Sequence, residues 1–351
     1  MSDLVAPGST TPIVGAWDHA LLEPNLEDAQ IVHKLDRFAG DAGTMGRAET
    51  TYRQKLRLKS WQYMTASSDN VFIAFAVGTA GFASNGFVYA AELDTNKVHK
   101  RFAITPLQVG THVSPSSATG THSFETRNLR TTIENLDGGR RYIVHVDAKT
   151  EGGGRLAADL EFSSAPADEH LSLCVPLPGG RWNYTHKFAA FSVAGSVELD
   201  GRRIALAPDR SYGTTDFTKM YALRHAVWKW IALCGRTKHG EVIGLNLVDP
   251  TPEADVSENA VWIGGKREAV TGVELASQSA EGSSPWRIRA DTIDISMKAV
   301  AHVSQRLDLP LVKNRLRHVI GAFSGRLRTA NGRVHDLDHV IGIAEDFDTW
   351  W

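Results

Sequence analysis

Residues Ser211–Gly235 read SYGTTDFTKMYALRHAVWKWIALCG, and the two tryptophans inside this stretch decide what the chain is built from. Trp228 and Trp230 are two residues apart. On an extended strand they share one face with Ala226, Ala232 and Cys234, whereas on a helix they would point to nearly opposite sides. The opposite strand face, Val227, Ile231 and Leu233 around Lys229, is also mainly apolar. Such a strand is covered on both sides, by a barrel interior or second domain on one and by a core on the other.

Moving outward, aromatic and β-branched runs such as NVFIAFAVG, GFVYAAELD, RYIVHVDAK, KFAAFSVAGSVELDG and RVHDLDHVIGIAED recur between Gly, Pro, Asn and Asp clusters. Turn signals separate them at 136–141, 199–203 and 330–333, the kind of dipeptide that closes a hairpin at positive φ. The expectation is an all-β fold of two β-barrel-like antiparallel halves with few short helices. AVAHVSQRLDLP (299–310) is read either as a short helix ended by Pro310 or as a strand. The small-residue stretch EFSSAPADEH (161–170) marks the expected boundary, giving an N-terminal segment 1–30, a β-domain 31–165 and a β-domain 166–351. An internal echo links the segments 52–82 and 221–249: each carries a basic, tryptophan-bearing strand, a polar turn and an apolar strand.

Composition narrows the function. With 351 residues, 42% hydrophobic and 22% charged, the chain can bury a sizeable core. Its 38 basic and 40 acidic residues leave a net charge of −2 with no long run of one sign, which disfavours nucleic acid or an anionic membrane as partner. The N-terminus has no basic region followed by an apolar one, and no segment approaches eighteen uninterrupted apolar residues, so a soluble, cytoplasmic protein is expected. Cys174 and Cys234 are too few for a disulfide scaffold or a thiolate zinc site, and suit small core positions. There is no G-x-G-x-x-G, P-loop, G-x-S-x-G or H-E-x-x-H, so the expectation is binding or chemistry without a cofactor.

Asp216 stands just ahead of the aromatic wall. Desolvation there would suit it to deliver a proton, whereas a turn role or a pairing with Lys219 or Arg224 would hold it as an anion. Tyr212 and Arg224 belong to the same stretch as substrate contacts, Arg224 as an anchor for a polar head group. In GGRWNYTHKFAAF, Trp182, Tyr184 and His186 alternate onto one face and Asn183, Thr185 and Lys187 onto the other. His186 is a candidate to orient water or accept a proton, or a structural histidine. Asn246 is a second candidate to hold water. VHDLDHV offers His335, Asp336, Asp338 and His339; in a strand the two histidines share a face while the aspartates alternate with Leu337, so no metal site is expected.

Taken in order, RWNYTHK, TDFTKMYALRHAVWKWIALCG, VIGLNLVD, SENAVWIGGK, GAFSGRL and IGIAEDF resemble a bacterial family of uncharacterised proteins, domain of unknown function 2804. The resemblance runs from about HKLDRFAG onward and is densest from Trp182 to Lys266. That family in turn resembles the tandem lipocalin-like proteins that include carotenoid 1,2-hydratases and some cyclases. The hydratases carry an aspartate in an Asp-His-Asn segment, the proposed proton donor to an alkene, followed by a Trp-x-Trp strand. Asp216, Trp228 and Trp230 match these, but TDFTK replaces Asp-His-Asn, so the His and Asn roles have no local substitute. The resemblance implies a hydratase or cyclase acting on an isoprenoid or polyene: Asp216 protonates a double bond, and Trp228 and Trp230, with Trp182 or Tyr184, face the cation. His186 or Asn246 then holds the water that adds. The rival is a lipid or hydrophobic small-molecule carrier without chemistry.

Overall fold

A computed structural model of the chain describes residues 3–31, 56–251, 256–277, 285–308 and 312–350. It consists of two curled antiparallel half-barrel sheets. The two-residue alternation read in the sequence is the reason. Ile231, Leu233, Ile243, Leu245 and Leu247 point into one apolar cluster, while Trp230, Ala232 and Val248 point out of the opposite face into another.

The first sheet runs in the order Val98–Pro106, Ala83–Glu92, Val71–Thr79, Lys59–Ser67, Tyr212–Met220, Arg181–Leu199, Arg155–Ser163, Arg141–Lys149, Leu129–Leu136, Gly120–Thr126 and Thr111–His112. The second runs Lys266–Ala269, Ala260–Ile263, Val242–Asp249, His225–Arg236, Val334–Trp350, Lys313–Arg328, Ile293–Asp308, Trp286–Ala290 and Glu274–Ser277. Most neighbours are hairpin partners. The pairing of Lys59–Ser67 with Tyr212–Met220 is not, and it brings residues far apart in sequence side by side.

Three features differ from, or settle, the sequence reading. The chain passes from the first sheet to the second at 221–224, whereas the 161–170 stretch only links two strands of the first sheet. Strand Arg181–Leu199 belongs to that first sheet because its inward face completes the core, with Phe188, Phe191 and Val193 in one cluster with Phe162 and Phe75, and Tyr212–Met220 joins it by pairing with Arg181–Leu199 and Lys59–Ser67. Residues 299–308 lie within strand Ile293–Asp308, while Pro310 is outside the described residues. Both echo segments are hairpins where they are described, one in each sheet.

Each sheet holds its own apolar cluster, and the two pack together across a third that contains Tyr63, Phe72, Tyr89, Trp230, Val303, Ile320 and Ile343. One close approach between them requires a glycine: a Cβ on Gly244 would lie 1.7 Å from the carbonyl oxygen of Ala189 in the other sheet. Cys174 and Cys234 are buried and unbridged. No helix among the described residues is long and apolar enough to cross a membrane.

Candidate functional site

A cavity of about 470 Å³ lies between the two sheets, walled by both. It is outside the apolar cluster of either half-barrel. Two cross-strand rows build it. In the first sheet Lys187, Asp216, Tyr63, Ala76 and Phe87 are successive register partners on four neighbouring pairs, so their side chains share one face. In the second, Val248, Trp230, Glu345, His318 and Val303 form the matching row. The rows meet edge to face: Tyr63 and Trp230 have ring centroids 5.5 Å apart at 81°, and Tyr63 lies 6.0 Å from the His318 ring.

The first polar group is centred on Lys187. Its ammonium lies 3.2 Å from Asp216 Oδ2 and also contacts Glu258. Asp216 Oδ1 accepts from the hydroxyls of Thr218 at 2.8 Å and Thr185 at 3.3 Å. Burial works against the charge on Lys187, but the carboxylates of Asp216 and Glu258 outweigh it and hold the ammonium's pKa above the usual lysine range. The same ammonium stands 5.3 Å from the Trp230 ring centroid. Asn246 fixes that indole, accepting from Trp230 Nε1 at 2.8 Å while donating to the carbonyl of Glu258 at 2.9 Å.

The second polar group is a hydrogen-bonded chain across the sheet interface. Tyr63 and Tyr89 hydroxyls are 3.3 Å apart, and Tyr89 is 2.7 Å from His318 Nδ1. His318 Nε2 contacts Glu345, which also accepts from Trp228 Nε1 at 2.5 Å. Burial raises both tyrosines well above the usual phenol range, so neither is a resting phenolate. Trp228 is held from its other side by Phe347, at 4.2 Å between centroids.

Trp228 and Trp230 therefore line one cavity from one strand face, with Asp216 opposite them. Asp216 is buried, as expected of an acid beside aromatics, yet it is engaged by a cation that the sequence reading did not weigh, Lys187. Lys219 points the other way, to Glu27 at 2.8 Å and the Pro24 carbonyl at 3.0 Å. Arg224 is exposed at the crossing between sheets and is not among the cavity-lining residues.

The alternation in RWNYTHK holds, but the face it presents to the cavity is that of Asn183 and Lys187. Tyr184 faces away, its hydroxyl 2.7 Å from Ser117 and 3.3 Å from both the Leu21 amide and Ser172. His186 is fully buried on the same side, 3.0 Å from His170. Burial, then the nearby Arg140 and His19, push its pKa down to about 3. Trp182 packs on the cluster formed with the N-terminal residues Leu4, Leu21 and Leu26. Tyr212 sits at the far end of the Asp216 strand, donating to the Asp209 carbonyl at 2.7 Å and accepting from Arg236. Hence His186, Tyr184, Trp182, Tyr212 and Arg224 stand apart from the cavity; Asn246 touches it through Trp230.

In VHDLDHV the shared face of the two histidines is broken. His339 has φ +56°, and two residues oppose one between the Phe323–Val340 and Gly325–Leu337 pairs, a β-bulge. His335 turns inward to Glu241 at 3.0 Å, while His339 pairs with Asp338 on the surface at 2.7 Å.

Sequence reasoning passed over Tyr63, Tyr89, Glu258, His318 and Glu345. A signal existed for two of them. Leu316, His318 and Ile320 alternate onto one buried face, and Glu345 interrupts the apolar run that ends IGIAEDF.

Fold and site together define an all-β protein of two half-barrels with an aromatic, partly charged cavity between them. The chain belongs to the family described as Domain of unknown function (DUF2804), whose family model matches residues 40–351. Among solved structures, kievitone hydratase from Nectria haematococca is similar at 12% identity and TM-score 0.45, covering 82% of this chain and 88% of that one. A structure titled "putative ATTH" from Nitrosomonas europaea is similar at 12% identity and TM-score 0.49, covering 93% and 98%. No curated protein matches the chain significantly.

Proposed function

We propose that the protein is a hydratase- or cyclase-type lyase that protonates a carbon–carbon double bond of a hydrophobic small molecule held between the sheets. One observation supports this most: a buried Glu345–His318–Tyr89–Tyr63 chain ends at a tyrosine in the cavity wall, facing Trp230. In this reading Tyr63 gives its proton to the alkene as Tyr89 re-protonates it and His318 re-protonates Tyr89. The concerted transfer avoids a buried phenolate, which burial disfavours at both tyrosines. Water then adds to the cation and returns a proton to the chain, or an internal nucleophile closes a ring.

The electrostatic balance suits a developing cation. Asp216, Glu258 and Glu345 face the cavity against two ammoniums, Lys59 and Lys187, among the described residues. Trp228 and Trp230 add their π-faces, worth about 1–2 kcal/mol each when desolvated. Asp216 acts in this scheme as the partner that keeps Lys187 charged and placed, receiving its ammonium and the hydroxyls of Thr218 and Thr185. Isoprenoids or polyenes fit such a wall.

The alternative, a carrier of hydrophobic molecules without chemistry, draws support from that same engagement of Asp216. Native mass spectrometry of the purified protein, followed by incubation of any co-purified lipophile in H₂¹⁸O, separates the two. Hydration adds the mass of one labelled water, and Tyr63→Phe abolishes that gain while leaving binding nearly unchanged. A ligand returned unaltered by wild type supports the carrier; full turnover by Tyr63→Phe rules out the relay.

A further inference from the structure

Lys187 and Glu258 meet at the cavity wall, and each keeps one hydrogen-bonding position that the described residues do not fill. The Lys187 ammonium carries three N–H bonds, and its acceptors among the described residues are Asp216 Oδ2 at 3.2 Å and Glu258 Oε2. Glu258 Oε2 is sealed from solvent against that ammonium. Its other oxygen, Oε1, takes no hydrogen bond from the described residues, and the side chain is 13% exposed. Asn246 donates to the Glu258 carbonyl at 2.9 Å and accepts from the Trp230 indole at 2.8 Å, so the backbone carrying this carboxylate and the ring are held in one frame. One ammonium between two carboxylates leaves the group with a net negative charge.

We infer that the alkene held in this cavity is an apolar alcohol: its O–H donates to Glu258 Oε1 and its oxygen accepts from the Lys187 ammonium. The inference deepens the hydratase reading and rests on it. A hydroxyl fits both open positions because it is at once a donor and an acceptor. A carboxylate brings no donor to Glu258 and meets the net negative charge, and an ammonium brings no acceptor to Lys187 and faces a like charge. An ether or a bare hydrocarbon leaves a carboxylate oxygen unmatched once the ligand excludes water. The strand register sets the spacing. Lys187, Asp216 and Tyr63 are successive partners in one row, so two strand spacings, about 10 Å, separate the hydroxyl-binding lysine from the proton-donating tyrosine. Trp230 links them, 5.3 Å from the ammonium and 5.5 Å from the Tyr63 ring. The hydroxyl and the double bond therefore flank one indole, and the apolar remainder of the molecule meets Trp61, Phe87 and Leu316.

The test is equilibrium binding to the full chain by isothermal titration calorimetry with citronellol, its methyl ether, its parent hydrocarbon, citronellic acid and citronellylamine. These share one carbon skeleton and one double bond and differ in the polar end. Because the ether and the hydrocarbon lose a hydrogen bond to a charged group, citronellol should bind at least about tenfold tighter than either. It should also bind tighter than the acid and the amine. Glu258→Gln should bring the alcohol and the ether to within about threefold of one another. A smaller than tenfold preference of wild type for the alcohol over the ether, tighter binding of the acid or the amine, or no saturable binding of citronellol overturns the inference, whether or not the variant folds. An undiminished preference in folded Glu258→Gln overturns it as well. Binding requires no turnover, so the two readings fail separately: full turnover by Tyr63→Phe strikes the relay and leaves the hydroxyl preference standing, whereas loss of that preference with turnover intact strikes this inference alone.

Discussion

Replacing Asp216 by Asn separates an ion-pair partner from a proton donor. The substitution keeps the side chain's shape and its acceptor for Thr218, 2.8 Å away, but puts an uncharged group 3.2 Å from the Lys187 ammonium. At an effective dielectric near 20 the lost attraction is about 5 kcal/mol. Part is offset because Asn is cheaper to bury than a carboxylate, and because Glu258 still neutralises Lys187. Breaking a buried pair from one side costs about 3–5 kcal/mol, so a net loss of about 2–3 kcal/mol is expected here. Urea unfolding at pH 7 should show a lower midpoint with the slope unchanged. Lys187→Met should cost more, since it leaves Asp216 and Glu258 facing one another without their cation. The double variant should be less destabilised than the sum of the two by about 2 kcal/mol. A wild-type midpoint for Asp216→Asn, joined to loss of turnover, would refute this reasoning and restore Asp216 as the acid.

Acid should unfold the protein early. His186 is pushed down to about 3, and His170 is also lowered by burial and by its contact with His186. Between the ordinary histidine value and those depressed values the unfolded chain binds more protons, so stability is full above about pH 6.5 and falls by up to ~1.4 kcal/mol per pH unit per histidine below it. Circular dichroism against pH checks this, and His186→Asn should flatten the profile. Gly244→Ala should destabilise by more than about 2 kcal/mol, because its Cβ meets backbone of the opposite sheet rather than a movable side chain; a wild-type thermal midpoint would contradict that sheet contact. Trp230→Leu should weaken binding of any lipophile about tenfold or more, measured by displacement of an environment-sensitive dye, since it removes the ring facing both Tyr63 and Lys187.

Much of the fold was legible because strand structure is a local, two-residue code. The spacing of Trp228 and Trp230 gave their shared face, and the apolar residues on the other side of that strand gave the second core. The turn dipeptides gave the hairpins. In RWNYTHK the alternation was right and the choice of face was not, since a strand buried on both sides carries no local mark of which side meets a cavity. His186 and Tyr184 lie on the other face, beside His170 and Ser117, and burial there removes the near-neutral titration expected of His186.

By itself the sequence determined the class of fold, the family, and an aromatic wall with an acid close by. Tertiary structure alone decided what that acid touches. Lys187, Asp216 and Tyr63 become neighbours through two long-range strand pairings, and Tyr63, Tyr89, His318 and Glu345 join only where two sheets meet face to face. A side chain's protonation state and role depend on charges and donors within a few ångströms, and here nearly all of those arrive from distant parts of the chain.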